Sequence, residues 1–304
     1  MAEVEGDAEV RYADAGALPD ALRGADVLLV WDFLSTAVAG AWPAADSLRW
    51  AHIASAGVDR LLFPDLVEGP VVVTNSAGVF DRPMAEYVLG LVLAFAKDLP
   101  RTVDLQRDRT WRHRETESVT GTRALVVGTG PIGREIGRLL RAAGLEVTSV
   151  GRRARRDDPD LGTVHAATDL HALLPAADWV VVAAPLTEQT RGLFDAKAYG
   201  LMKPTARFVN VGRGPIVVED DLADALAAGE LAGAALDVFE TEPLPPDHRL
   251  WTAPNLLVSP HMSGDVVGWL DDLAHLFVAN YRRWRAGDTL LNVVDKRLGY
   301  VARS

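Results

Sequence analysis

The chain has no cysteine among its 304 residues. Disulfides, thiolate metal ligands and cysteine nucleophiles are therefore all excluded. No apolar run approaches the length that a bilayer requires. The first residues, Met1–Asp7, are acidic, whereas a secretory signal peptide begins with a basic and then an apolar region. These absences predict a cytoplasmic protein that does not use the membrane, and no residue cluster suggests a metal site.

Basic residues are also in deficit, with 31 Lys and Arg against 42 Asp and Glu, which gives a net charge of −11. A negative surface repels nucleic acid and anionic membranes, so neither is expected as a general partner. The hydrophobic content of 49% and the charged content of 24% are typical of a globular protein. The length suffices for two domains, and an anionic small-molecule substrate would need a locally positive site.

The most specific motif is a glycine-rich turn that joins an apolar segment, Ala124–Val127, to a helical pattern. It reads Gly128-Thr-Gly-Pro-Ile-Gly133, which is the Gly-x-Gly-x-x-Gly fingerprint of dinucleotide-binding folds. Gly128 would form the tight turn, Gly130 would let the backbone approach a pyrophosphate, and Gly133 would let helix and strand pack closely. The phosphates would face the helix N-terminus. The alternative is a glycine-rich turn without a ligand.

The next predicted strand, Leu145–Val150, indicates which cofactor the turn would accept. NAD-binding sites place an acidic residue at the end of this strand, about 20 residues after the glycines, where it binds the ribose 2′-hydroxyl. Here the strand ends at Gly151, and Arg152 and Arg153 follow. Arginine pairs with a 2′-phosphate, which a carboxylate would repel. The sequence predicts NADPH as the preferred cofactor, with NADH as a possible second one; the alternative is a solvated basic loop.

Strand and helix patterns alternate along the whole chain, which indicates an α/β architecture with parallel sheets. About 120 residues precede the glycine-rich turn and contain their own strand patterns at Asp26–Trp31, Trp50–Ala54 and Val71–Asn75. They predict a separate α/β domain, to which a final helix over Val266–Ala286 returns the chain. For Ala8–Tyr12 two assignments stay open: the first strand, or the second strand of a domain without its usual first one.

Downstream of the glycine-rich turn, four further strands are predicted, which would complete a doubly wound sheet. We expect residues 1–98 and 275–304 to form a substrate domain and residues 99–274 to form the dinucleotide-binding domain. The predicted strands are Trp179–Ala183, Ala206–Val211, Gly233–Val238 and Leu256–Ser259.

Three polar residues follow successive predicted strands, and the carboxyl ends of parallel strands are where ligands bind. Arg213 can hold a carboxylate and polarise the adjacent carbonyl. His261 can exchange a proton near neutral pH, and Glu242 could hydrogen-bond the imidazole and favour its charged form. Each also has a structural explanation: Arg213 as the partner of a surface acid, Glu242 as a loop residue, and His261 as a turn cap.

Several separated motifs together resemble the D-isomer-specific 2-hydroxyacid dehydrogenase family over nearly the whole chain. The resemblance implies a Rossmann dinucleotide-binding domain inserted into a flavodoxin-like substrate domain, both doubly wound around parallel sheets. It also implies a homodimer formed through the nucleotide domain. The motifs are Val127–Gly133, Ala184-Pro-Leu-Thr-Glu-Gln-Thr190, Asn210-Val-Gly-Arg-Gly214, Leu236-Asp-Val-Phe-Glu-Thr-Glu-Pro-Leu-Pro245 and Pro260-His-Met-Ser-Gly264.

The resemblance implies a role for each candidate residue. Arg213 would orient a 2-oxo acid, His261 would be the acid/base, and Glu242 would tune His261. Asp237 would contact the nicotinamide carboxamide. The residues expected to bind the cofactor are Gly128, Gly130, Pro131, Ile132, Gly133, Arg152, Arg153, Ala184, Pro185, Thr190, Val211, Gly212, Arg213, Asp237, His261, Ser263 and Gly264.

The expected substrate is a small 2-oxo acid, such as glyoxylate, hydroxypyruvate or an aliphatic 2-ketoacid, which would be reduced to the D-2-hydroxy acid. The resemblance implies that its carboxylate binds the backbone N–H groups of Ala56, Gly57 and Val58, which would form an anion-binding turn. Arg213 and His261 would also bind the substrate. Two alternatives stay open. One is a corepressor-like protein that binds the dinucleotide without significant turnover, and the other is an inactive paralogue, against which the intact trio argues.

Overall fold

The computed structural model describes residues 1–301, and the chain divides into two compact units. Unit 1 contains residues 1–80 and the chain from residue 266 onward, and unit 2 contains residues 81–265. Unit 2 is thus an insertion in the sequence of unit 1. The predicted domain boundaries, after residues 98 and 274, fall later in the chain than those of the two units.

The strands are short and mostly buried. They are β1 Val27–Val30, β2 Trp50–Ile53, β3 Val72–Thr74, β4 Arg123–Val127, β5 Glu146–Gly151, β6 Arg155–Asp158, β7 Gly162–Ala166, β8 Trp179–Val182, β9 Arg207–Asn210, β10 Gly233–Leu236 and β11 Leu256–Val258. The helices are α1 Ala2–Glu5, α2 Leu18–Leu22, α3 Ala37–Ala41, α4 Pro64–Glu68, α5 Asp81–Ala96, α6 Leu99–Arg107, α7 Pro131–Ala142, α8 Leu170–Leu173, α9 Ala196–Gly200, α10 Glu219–Ala227 and α11 Trp269–Ala286. No helix within residues 1–301 has the length and apolar character to cross a bilayer.

Unit 1 is built on a parallel sheet in the order β1-β2-β3. Its two faces are covered separately: Trp50 stacks on Phe277 of α11, with ring centroids 5.3 Å apart, whereas Ile53 and Leu66 belong to the cluster on the other face. The three predicted strands are confirmed. The segment Ala8–Tyr12 forms no strand, so neither assignment offered for it is correct.

The reason for this difference lies in the polar groups of the segment. Arg11 pairs with Glu9, two residues away, and donates to the carbonyl groups of Ala21 and Arg23. The side chains of Arg11 and Glu9 are both exposed to solvent. Hydrogen bonds of side chains to nearby backbone thus replace the ladder that a strand would need.

Unit 2 is built on an eight-stranded sheet in the order β11-β10-β9-β8-β4-β5-β7-β6. All neighbours are parallel except β6, which pairs antiparallel with β7. The strand order reverses at β4, which lies between β5 and β8, and a crevice for ligands forms at such a switch point. The β6–β7 hairpin was not predicted, because β6 consists entirely of charged residues and has no apolar alternation.

Helices cover both faces of this sheet. Helix α5 packs on α7, and its buried Val88 and Val92 share a hydrophobic cluster with Ile136 and Leu140 of α7. Helices α8, α9 and α10 cover the opposite face in a second cluster. The packing of α5 on α7 places the boundary between the units before α5, not after it.

Candidate active site

The glycine-rich turn follows β4 at the switch point of the sheet. Gly128 has φ of +121°, and its N–H donates to the carbonyl of Val150 at 2.9 Å. A Cβ on Gly128 would lie 2.5 Å from the carbonyl oxygen of Ala183, and one on Gly133 would lie 2.0 Å from that of Gly128. A Cβ on Gly130 would meet no atom within 4 Å. The fold itself thus requires the first and third glycines, whereas the second faces open space.

The N-terminus of α7 fits a phosphate group. Pro131 is its first residue, and Arg134 is the first whose N–H donates to a backbone carbonyl, that of Gly130 at 2.9 Å. The N–H groups of Ile132 and Gly133 have no protein acceptor within residues 1–301. Such N–H groups at a helix start, together with the helix dipole, attract an anion. The open space at Gly130 and these donors fit a dinucleotide pyrophosphate.

The last position of β5, Gly151, cannot carry an acidic side chain without a rearrangement. A Cβ on Gly151 would lie 2.8 Å from Oγ1 of Thr129 and 3.2 Å from a methyl group of Val164. Arg152 and Arg153 follow and are exposed to solvent. Thr129 itself belongs to the glycine-rich turn. The structure therefore keeps an NAD-type carboxylate out of this position and places two guanidinium groups directly after it.

The loops after β8 and β9 are in close contact with each other. Thr190 donates through Oγ1 to the carbonyl of Pro185 and accepts from the N–H of Thr187, both at 2.8 Å. A Cβ on Gly212 would lie 2.8 Å from the carbonyl oxygen of Ala184, so only glycine permits this approach. Val211, next to it, is buried.

Arg213 lies in a turn that Asn210 fixes at the end of β9. The Asn210 amide donates to the carbonyl of Arg213, and its oxygen accepts from the N–H of Gly212, both at 3.0 Å. The Arg213 guanidinium donates to the Gly212 carbonyl at 2.8 Å. A Cβ on Gly214 would lie 1.9 Å from the carbonyl carbon of Phe239, so this turn rests against the loop that carries Glu242. No pattern in the sequence indicated this role of Asn210.

His261 and Glu242 meet as the sequence analysis anticipated. Nδ1 of His261 lies 2.9 Å from Oε2 of Glu242, and Oε1 of Glu242 accepts from the N–H of Phe239 at 2.9 Å. The imidazole is 27% exposed, whereas the carboxylate is 10% exposed. The carboxylate is thus fixed by the backbone on one side and by the imidazole on the other.

Asp237 holds the turn that carries His261. Asp237 is 1% exposed. Its Oδ1 accepts from the Ser259 hydroxyl at 2.6 Å and from the Met262 N–H at 3.0 Å. Its Oδ2 accepts from the Ser263 N–H at 2.9 Å. The N–H of His261 donates to the Asp237 carbonyl at 2.8 Å. Gly264 follows within the turn that the N–H of Asp265 closes onto the Met262 carbonyl at 2.9 Å. No pattern in the sequence indicated that one carboxylate would bind three parts of the turn.

In unit 1, the turn Ser55–Val58 follows β2. The N–H groups of Ala56, Gly57 and Val58 have no acceptor within residues 1–301. The carbonyl of Ala56 accepts from the amide of Asn75, and the carbonyl of Gly57 accepts from the hydroxyl of Ser55, both at 2.6 Å. Three successive N–H groups without a partner, with their carbonyls held, form an anion-binding turn. Asn75 was not among the predicted residues.

A neutral polar network lies beneath this turn. His52 is 1% exposed, with Nδ1 at 2.7 Å from Oγ1 of Thr74 and Nε2 at 3.3 Å from Oγ of Ser76. The Ser76 hydroxyl donates to the Ile53 carbonyl at 3.1 Å, so its oxygen accepts from Nε2–H of His52, and Nδ1 of the neutral ring accepts from the Thr74 hydroxyl. Burial lowers the pKa of His52 to about 4, which keeps the imidazole neutral.

Comparison with known proteins identifies the family. The sequence model of the D-isomer-specific 2-hydroxyacid dehydrogenase NAD-binding domain matches residues 89–263. A glyoxylate/hydroxypyruvate reductase A of Serratia proteamaculans is 30% identical over 287 residues, which is 91% of this chain and 88% of that protein.

Within residues 1–301, no cluster of His, Cys, Asp or Glu is suited to a metal ion.

Solved structures of similar proteins support the same family. One is an NADPH-dependent glyoxylate/hydroxypyruvate reductase from Sinorhizobium meliloti in complex with NADP and sulfate, with a TM-score of 0.84, 29% identity, and coverage of 98% of this chain and 95% of that one. Another is a D-isomer-specific 2-hydroxyacid dehydrogenase from Xanthobacter autotrophicus with NADPH, with a TM-score of 0.78, 34% identity, and coverage of 97% and 89%. The chain therefore belongs to the D-isomer-specific 2-hydroxyacid dehydrogenase family of NAD(P)-dependent oxidoreductases.

Proposed function

We propose that this protein is an NADPH-preferring D-2-hydroxyacid dehydrogenase that reduces small 2-oxo acids to D-2-hydroxy acids. Glyoxylate, hydroxypyruvate and aliphatic 2-ketoacids are the candidate substrates. The observation that carries this proposal is the contact of 2.9 Å between Nδ1 of His261 and Oε2 of Glu242. The pair lies in the same unit as Arg213, and the three residues follow the neighbouring strands β9, β10 and β11.

The nicotinamide, when bound, supplies the hydride. Because Glu242 occupies Nδ1 of His261, Nε2 is the ring nitrogen that delivers a proton to the carbonyl oxygen of the substrate. Glu242 stabilises the charged imidazole and keeps it in orientation. Arg213 holds the substrate carboxylate and stabilises the negative charge that develops on the carbonyl oxygen.

Other residues bind and orient. The N–H groups of Ala56, Gly57 and Val58 are proposed to bind the substrate carboxylate, because they have no protein acceptor within residues 1–301. The glycine-rich turn is proposed to bind the pyrophosphate. Asp237 is proposed to contact the carboxamide, since its Oδ2 accepts from Ser263 and retains a second lone pair for an amide.

Two observations support NADPH as the preferred cofactor. The crowded position of Gly151 leaves no space for the carboxylate of an NAD site, and Arg152 and Arg153 follow it. The relatives from Sinorhizobium meliloti and Xanthobacter autotrophicus were solved with NADP and NADPH, respectively. The names of relatives also motivate glyoxylate and hydroxypyruvate as first substrates.

The test is to follow NADPH and NADH oxidation by the purified protein with glyoxylate, hydroxypyruvate, pyruvate, 2-oxobutyrate, 2-oxoisocaproate and phenylpyruvate, and to determine the configuration of each chiral product. We expect faster turnover with NADPH and a D-product. The matched variant is Arg213→Gln, which should lower kcat/KM about 100-fold while NADPH binds normally. Tight NADPH binding without turnover of any 2-oxo acid would instead favour the dinucleotide-sensing function.

The quaternary state is a separate part of the proposal. The family resemblance implies a homodimer formed through the nucleotide domain, and light scattering on the purified protein would measure its mass directly. A mass of about 65 kDa, twice the 32.7 kDa of the chain, is expected. A mass equal to that of one chain would reject the dimer without affecting the proposed chemistry.

A further inference from the structure

A buried ion cluster connects helix α7 to the β6–β7 hairpin. Its centre is Asp158, whose side chain is 3% exposed. The Arg134 guanidinium donates from Nη1 to Oδ1 at 2.6 Å and from Nη2 to Oδ2 at 2.7 Å, which is a bidentate pair. Arg155 donates from Nε to Oδ2 at 2.7 Å. The N–H groups of Asp160 and Leu161 donate to Oδ1 at 3.2 and 3.1 Å.

This carboxylate is charged throughout the working range of pH. The hydrogen bond from Arg134 holds the pKa of Asp158 well below its usual value; burial opposes this effect, and Arg155 and two backbone N–H groups add to it. When one partner of such a buried pair is removed, the other charge is left uncompensated. The cluster is therefore a fixed point in unit 2.

Its location relative to the cofactor-binding elements is specific. Arg134 lies in the first turn of α7, immediately after Gly133 of the glycine-rich turn. Asp158 ends β6, which begins two residues after Arg153. On the other side of the arginine pair, Gly151 ends β5. Arg152 and Arg153 thus lie in a short segment whose two ends are both attached to the rest of the unit.

The cluster also determines which arginines can bind a phosphate. Arg155 is occupied by Asp158, and Arg134 binds both Asp158 and Asp160, the latter at 2.8 Å. Their charges are balanced within the protein. Both guanidinium groups are therefore already engaged within the cluster.

We propose that Asp158 and Arg134 are positioning residues for cofactor discrimination, which hold Arg152 and Arg153 where the 2′-phosphate of NADPH binds. Arg155 acts through the cluster and does not bind the phosphate. This inference rests on the proposed preference for NADPH. The 2′-phosphate is the only difference between the two cofactors, so a positioning role for these residues changes NADPH binding and leaves NADH binding almost unaltered.

The test measures the dissociation constants of NADPH, NADH, 2′,5′-ADP and 5′-AMP for the full-length protein and its variants. Asp158→Asn should weaken the binding of NADPH and 2′,5′-ADP about tenfold, which is the equivalent of one hydrogen bond to a charged group. NADH and 5′-AMP should change less than about twofold. Asp157→Asn is the matched control: it removes the same charge from the adjacent, exposed residue, and Asn tolerates the positive φ of 57° found there.

Arg134→Lys is the second variant, and it decides the question if Asp158→Asn does not fold. Lysine retains the charge but not the bidentate contact, so an intermediate loss of NADPH selectivity is expected. Equal losses for NADPH and NADH would mean that the cluster supports only the fold. Tighter NADPH binding by Asp158→Asn would mean that a released Arg155 binds the phosphate. Either result overturns the inference.

The double variant Arg152→Ala/Arg153→Ala separates this inference from the proposed function. If it retains the full preference for NADPH, the assignment of the arginine pair fails, whatever the cluster does. If it loses the preference but Asp158→Asn and Arg134→Lys do not, only the positioning role of the cluster fails.

Discussion

Two turns of this protein follow strands that pair in parallel but have opposite hydrogen-bonding states. In Ser55–Val58 of unit 1, neutral side chains hold the carbonyl groups, and three successive N–H groups have no protein acceptor within residues 1–301. In Ser259–Ser263 of unit 2, the carboxylate of Asp237 accepts from the N–H groups of Met262 and Ser263. The first turn can receive an anion, whereas the second already contains one.

The comparison shows that a position at the end of a strand does not by itself determine what a turn can bind. Where side chains hold only the carbonyl groups, the N–H groups remain available for an anion. Where a buried carboxylate takes up the N–H groups, the turn becomes a rigid support for a side chain, here the imidazole of His261. Substitutions in the two turns should therefore affect different kinetic constants.

The largest effect is expected from His261→Ala, which removes the proposed proton donor from the rigid turn. We expect kcat to fall about 1,000-fold, within the usual range for the loss of an acid/base group. The dissociation constant of NADPH should change less than about twofold. His171→Ala, on α8, is the control and should leave turnover intact. Normal turnover by His261→Ala would remove the imidazole from the mechanism.

A smaller but clear loss is expected when the support of the imidazole is altered. In Asp237→Asn, the side chain has only one acceptor oxygen, whereas the carboxylate uses one oxygen for the N–H of Met262 and the other for that of Ser263. One of these two N–H groups therefore loses its partner. We expect kcat to fall about 100-fold, because a displaced catalytic group is costly. The exposed Asp247→Asn removes the same charge and should retain kcat. If Asp237→Asn kept full kcat, the turn would not depend on this carboxylate.

In the other turn, the expected effect is on substrate affinity. Asn75→Ala removes the amide that holds the Ala56 carbonyl, so the adjacent N–H groups lose their orientation. We expect KM for the 2-oxo acid to rise about tenfold, the equivalent of one hydrogen bond to a charged group, with kcat and the NADPH affinity nearly unchanged. Asn75→Asp retains the acceptor for Ala77 but replaces the donor with a negative charge next to the Ala56 carbonyl, so KM should rise more than in Asn75→Ala. A fall in kcat without a change in KM would contradict the proposed role of this turn.

The sequence predicted the parts of the site that local patterns encode. The glycine-rich turn, the strands of both sheets and the meeting of His261 with Glu242 follow from motifs and from the rule that parallel strands end at one edge. The contacts of Asp237, Asn75 and Asp158 could not be predicted, because each joins segments whose pairing depends on the folded register. The β6–β7 hairpin was missed for a related reason: ion pairs around Asp158 stabilise it, not alternating apolar residues.

The smallest expected effect concerns the stability of the neutral network beneath the turn Ser55–Val58. His52 has a pKa of about 4 in the folded protein, below the ordinary 6.5, because burial disfavours its charge. The unfolded chain therefore binds the proton more readily, so the stabilisation is complete above pH 6.5 and is lost as the pH falls toward 4. Between pH 7 and about pH 5.5, this residue should lower the free energy of unfolding by about 1 kcal/mol.

Urea denaturation of the protein and of His52→Gln at the two pH values measures this contribution, since glutamine does not titrate. The variant should be less stable at pH 7, because glutamine cannot replace both hydrogen bonds of the imidazole, but it should lose about 1 kcal/mol less on acidification. The other six histidines are present in both proteins and cancel in the difference. An identical loss in both proteins would mean that His52 is not held neutral, and the contrast between a neutral turn in unit 1 and a charged turn in unit 2 would then fail.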